Sequence, residues 1–184
     1  MSFEAQQWFP GSAIDFRWKA WVRMSALIRA RVIDSFADGK GSLTAAAFGV
    51  VPVARSRGPA TDKGEAMRGL AELPWRPFAF GEASPLTWES AGNEELRVRF
   101  ANARTRAAVL FEVDSAGRVQ SALAPDRPRI VDGKVAETAW SGVFDDYRTF
   151  SGIRVPTFAQ AAWLLPEGPF TYWRGRVSEF RVLL

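Results

Sequence analysis

The sequence predicts a mainly β fold: a curved antiparallel sheet or open barrel of about ten strands wrapped around one main helix. Three observations carry this. Apolar and polar residues alternate with period 2 along most of the chain. Short turns containing Gly, Asn or Asp punctuate the alternating runs. One stretch, 62–73, switches to helical spacing. A flat sheet of about ten twisted strands is unusual, so the apolar face is expected to curl around the helix or close toward a barrel.

The first alternating run is Ile14–Met24. Ile14, Phe16, Trp18, Ala20, Val22 and Met24 share one face, and Asp15, Arg17, Lys19 and Arg23 take the other. The second, Leu27–Phe36, sets Ile28, Ala30 and Val32 against Arg29 and Arg31. Asp38-Gly39-Lys40-Gly41 reads as a turn. A third strand is expected over Ser42–Val53, giving a three-stranded meander.

The period then changes. Asp62 is the candidate N-cap of a helix over Lys63–Leu73, with Glu65 completing a capping box and Pro74 and Pro77 stopping it. Ala66, Met67, Leu70 and Leu73 fall on one side. Glu65, Arg68 and Glu72 fall on the other, at spacings that let Arg68 bridge both carboxylates. Strands resume at Leu86–Ser90, Glu95–Asn102, Arg106–Asp114, Arg118–Leu123, Lys134–Tyr147, Ala159–Leu165 and Tyr172–Leu183.

The chain has 184 residues, 47% of them apolar and 24% charged, in the range of one globular domain over residues 1–184. Histidine and cysteine are both absent. That excludes Ser-His-Asp and Cys-His nucleophiles, thiol redox pairs, zinc fingers and disulfides. No nucleotide-binding glycine loop is present, and carboxylate spacing is nonspecific for a metal, so no metal and no cofactor is expected. Only four of the 24 cations are lysines. The arginines come mostly as dispersed i, i+2 pairs, such as Arg29/Arg31 and Arg127/Arg129, and read as solvated strand faces with no nucleic-acid partner. No run approaches a membrane span, and no signal peptide opens the chain, so as given it is expected to be soluble and cytoplasmic; an anchor lost upstream stays open.

Without imidazole or thiol, chemistry falls on carboxylates, arginines and tyrosines. Glu65, Glu72 and Tyr172 are the candidate catalytic groups, and Arg68, Trp75, Tyr147, Trp163 and Trp173 the candidate ligand-binding ones. Read alone, Glu65/Arg68/Glu72 suits a solvated ion-pair network. Eight Trp are a heavy load, and most aromatics are expected in the core.

Three stretches, DKGEAMRGLAELPWRP, WSGVFDDYRTFSGIRVP and AAWLLPEGPFTYWRGRV, together resemble a family of uncharacterised, mostly bacterial proteins, a domain of unknown function. The resemblance spans Phe16 to Val182 and is most specific in the Glu65/Arg68/Glu72/Trp75 motif and the Trp163-to-Trp173 segment. It implies a cavity role for that motif. The dense antiparallel pattern also resembles, distantly, half-barrel carriers of lipoproteins. Two functions follow as expectations. One is binding of a small hydrophobic or aromatic ligand, acidic ones included. The alternative is a cofactor-independent lyase, isomerase or hydrolase using Glu, Arg and Tyr.

Overall fold

The alternating runs form two antiparallel sheets with one α-helix between them, in a computed structural model that describes residues 1–10, 14–80 and 85–182. The first sheet holds five strands in sequence order: β1 (Ser2–Trp8), β2 (Phe16–Arg23), β3 (Arg29–Ala37), β4 (Lys40–Ala47) and β5 (Val51–Ser56). Then come α1 (Pro59–Ala71) and 3-10 turns at Leu73–Trp75 and Pro77–Phe80. The second sheet holds seven strands, also in sequence order: β6 (Leu86–Ser90), β7 (Glu95–Ala101), β8 (Arg106–Val113), β9 (Val119–Val131), β10 (Lys134–Phe150), β11 (Ile153–Leu165) and β12 (Gly168–Arg176). The mainly β expectation holds, and neither sheet closes into a barrel.

Each sheet turns one apolar face inward. Phe16, Ala20, Ala30 and Phe36 come from the first, and Val98, Phe100, Val109, Phe111 and Ala122 from the second. α1 packs on β3 and β4 on one side and on β7, β8 and β9 on the other. It therefore has almost no solvated face: Gly64 to Met67 and Gly69 to Ala71 are all buried. Burying Met67 and Leu70 contributes about 2–3 kcal/mol each. Its polar side has to face something other than water, and this is what creates the site below.

Local chemistry differs from the sequence expectation in several places. The helix starts four residues early, with Gly58 as N-cap and Pro59 in the first turn. Asp62 does not cap it; its Oδ1 accepts the Gly41 N–H at 2.7 Å and ties the helix to β4. Gly41 permits this approach, because a Cβ there would lie 2.6 Å from the Thr61 carbonyl oxygen. The single strand expected over Ser42–Val53 is a hairpin, since Phe48 and Gly49 adopt positive φ (52° and 80°) between β4 and β5. The N-terminal segment, which lies outside the strands expected from sequence, is β1, whose irregular pattern gains order by pairing with β2. The segment between Leu123 and Lys134 continues β9 despite Pro125 and Pro128. The last expected strand starts at Gly168 and ends at Arg176; its expected end at Leu183 lies outside the described residues.

Three register shifts matter for the site. β9 carries an extra residue opposite Glu112/Val113, and a second one opposite Thr138/Trp140, where Pro125 and Asp126 together face Ala139. β12 carries Tyr172 as the extra residue opposite Ala161/Ala162. Each bulge turns the following side chains over to the other face.

Candidate functional site

A cavity of about 900 Å³ lies between the sheets. Inner faces of β1–β3 form one wall, β10–β12 the other, and α1 the base. Such a volume suits a small organic molecule.

The base is charged. Arg68 extends from α1 between Asp34 of β3 and Glu72: its Nη1 donates to Asp34 Oδ2, and its Nε donates to Glu72 Oε1 at 2.8 Å. Gln7 of β1 donates to the other Glu72 oxygen. The guanidinium lies over the rings of Phe16 and Trp18, 4.7 and 5.3 Å from their centroids. Burial alone would lower the Arg68 value, but Glu72 and Asp34 outweigh it and hold the group charged.

Glu65, one turn earlier, is 7% exposed, and Asp34 is 5% exposed. Burial first, and then the Asp34 carboxylate, push Glu65 up from an ordinary 4.5 to about 8. At neutral pH Glu65 is thus a carboxylic acid beside a carboxylate. Glu65 Oε2 and Asp34 Oδ1 have no protein hydrogen-bond partner among the described residues. A proton on Glu65, or a donor on a ligand, supplies what these oxygens lack.

A second arginine reaches the cavity from β9. Arg127 is 8% exposed, and its guanidinium lies 4.8 Å from the Trp140 ring centroid and 5.7 Å from that of Trp163. It makes no hydrogen bond and no ion pair with the described residues. The neighbouring bulge aims it inward, and Lys63 of α1 clamps that bulge through Asp126 at 2.5 Å and Glu137 at 2.7 Å. The expectation that Arg127 sits on a solvated face is corrected: one extra residue in β9, Pro125 and Asp126 together facing Ala139, reverses its parity.

Aromatic residues complete the walls. Trp75 donates to the Pro156 carbonyl at 2.8 Å and packs edge-on against Phe144. Trp140 donates to the Tyr172 hydroxyl at 2.9 Å, and that hydroxyl's own hydrogen has no acceptor among the described residues. Trp173 stacks on Phe3, with centroids 5.9 Å apart, so the two sheets touch there.

Six of the sequence-derived candidates, Glu65, Arg68, Glu72, Trp75, Tyr172 and Trp173, line this one cavity. Trp163 does not; it stacks against Tyr172 from behind. Tyr147 faces a separate pocket of about 280 Å³ with Asp114 and Arg118. Its hydroxyl donates to the Val119 carbonyl at 2.6 Å and so ties β10 to β9, and burial pushes it up to about 12. Sequence reasoning missed Asp34, Arg127 and Gln7. Asp34 had a signal, since it continues the inward series Ala30, Val32 of its strand. Arg127 had none, because a bulge cannot be read from alternation.

A model of a family of unknown function, DUF6544, matches residues 1–175. The chain belongs to the DUF6544 family. No curated protein and no solved structure matches this DUF6544 chain. Among its described residues, no helix is long and apolar enough to cross a membrane, and no three carboxylates are grouped to hold a metal ion.

Proposed function

We propose that this DUF6544 protein binds a small hydrophobic or aromatic ligand bearing an acidic group in the cavity between its sheets. The observation that carries the reading is Arg127: a buried cation against two indoles, in a roomy aromatic cavity, with no hydrogen-bonded or ion-paired carboxylate among the described residues. A buried charge without a partner is costly, and a ligand anion would complete it. Arg68, the anchor expected from sequence, already has two carboxylates. Trp18, Trp75, Trp140 and Trp173 line the cavity and make their fluorescence the reporter. Titration with a panel of aromatic and long-chain carboxylates should quench or shift it, and the alcohols of the same shape should bind at least about tenfold more weakly. Equal binding of acid and alcohol, or no binding together with no co-purified ligand by native mass spectrometry, sinks the reading.

One observation favours a second reading, acid–base catalysis without a cofactor. Glu65 holds a proton at neutral pH beside Asp34 and lines the same cavity as the Tyr172 hydroxyl. Glu65→Gln, Glu72→Gln and Tyr172→Phe would each lower turnover of an identified substrate; full activity in all three rules it out.

A further inference from the structure

Antiparallel order brings the β2–β3 turn (24–28) and the β4–β5 turn (48–50) to one end of the five-stranded sheet. Ser2 pairs with Arg23, so Met1 lies at this end too. Turns ordinarily carry polar residues. These read Met24-Ser25-Ala26-Leu27-Ile28 and Phe48-Gly49-Val50. Leu27 is 89% exposed, Val50 77%, Phe48 62% and Met24 52%, a concentration of bare apolar side chains that a water-facing tip does not need.

Three features say what covers it. Most of the tip N–H groups are paired within the tips: Met24 N–H donates to the Ile28 carbonyl at 2.9 Å, Ile28 N–H to Ser25 Oγ at 3.2 Å, Phe48 N–H to the Arg29 carbonyl at 2.8 Å and Val50 N–H to the Ala47 carbonyl at 3.1 Å. A segment entering an apolar medium needs this. The tips also carry a cationic collar. Arg23 and Arg29 pair across β2 and β3, Arg31 follows two residues on, and the first carboxylate met along these strands is Glu4, at the level of Trp21. Finally, Trp21, itself 41% exposed, lies against Gly49, where a Cβ would be 2.7 Å from the ring. The indole thus braces the two tips together at the height where interfacial tryptophans sit.

We propose that this end of the sheet docks on an anionic lipid bilayer, with Leu27, Phe48 and Val50 entering the boundary between headgroups and acyl chains and Arg23, Arg29 and Arg31 meeting lipid phosphates. A second copy docked tip to tip would oppose two cationic collars, which disfavours self-association there. The cavity reaches this end, since Met1, Ser2 and Phe3 line it. Docking nevertheless rests on the tips alone and holds whatever the cavity binds.

The test is co-sedimentation of the full chain with phosphatidylcholine vesicles, with and without about one-third phosphatidylserine. Binding should require the anionic lipid and weaken at high salt. Arg23→Ala and Arg29→Ala should each weaken it about fivefold, and Leu27→Ser with Phe48→Ser by more than about tenfold. The chain has no cysteine, so Leu27→Cys accepts a single environment-sensitive dye. Its emission should shift to the blue on anionic vesicles, whereas the same dye at Ser115→Cys, in an exposed turn of the other sheet, should not respond. Three results would overturn the proposal: no sedimentation with anionic vesicles, equal binding to both compositions, or a Leu27-dependent dimer that forms in place of vesicle binding.

Discussion

Arg68 and Arg127 reach one cavity from different elements and meet different fates. Arg68, from the helix, is held by Asp34 and Glu72 and lies over Phe16 and Trp18. Arg127, from a bulged strand, lies against two indole faces and makes no ion pair among the described residues, although Glu65 is near enough to feel its charge. The same side chain is structural where the protein supplies its counter-charges and receptive where it does not. The difference follows from the neighbours within hydrogen-bond reach, since both groups are largely buried.

Four experiments bear on this contrast, taken from the largest effect down. Arg68→Met strands Asp34 and Glu72 without their cation and should destabilise by about 3–5 kcal/mol in denaturant unfolding. A loss below about 1 kcal/mol would mean that the network is solvated and the contrast false. Glu65→Gln should change the pH dependence of stability. The folded value of about 8 lies above the ordinary 4.5, so the stability Glu65 contributes is full below the ordinary value, declines as pH rises through the window and is gone above about 8. Within that window the wild type should lose up to about 1.4 kcal/mol per pH unit through this group, and the Gln variant should lose that slope. Arg127→Met should leave stability within about 1 kcal/mol, because no carboxylate is orphaned, yet abolish the preference for acids over alcohols. A loss of stability comparable to that of Arg68→Met would mark Arg127 as structural. Glu89→Ala, which breaks the exposed pairs with Arg97 and Arg99, serves as the baseline and should cost no more than about 0.5 kcal/mol.

Legibility varied along the chain for physical reasons. Ile14 to Val22 and Ala30 to Phe36 alternate cleanly, and their inward sides are the ones that alternation selects. The same rule, followed two residues past Val32, reaches Asp34, a carboxylate at an inward position and hence a candidate by itself. The helix motif shows its own ion-pair spacing, but spacing does not say whether water or a second sheet lies beyond it. Tyr147 and Trp163 share the aromatic density of Tyr172 and Trp173, yet only the last two line the cavity, and density carries no direction.

Local physics was enough for the class of fold, the single helix and the exclusion of imidazole and thiol chemistry. Strand periodicity, proline placement and composition act between near neighbours and are written in the chain. The enclosed polar face of α1, the pairing of Asp34 with Arg68 across 34 residues and the inward turn of Arg127 depend on two sheets meeting over one helix. Only tertiary structure decides these, because burial and electrostatic coupling depend on distance in space, and one extra residue in a strand reverses every face that follows.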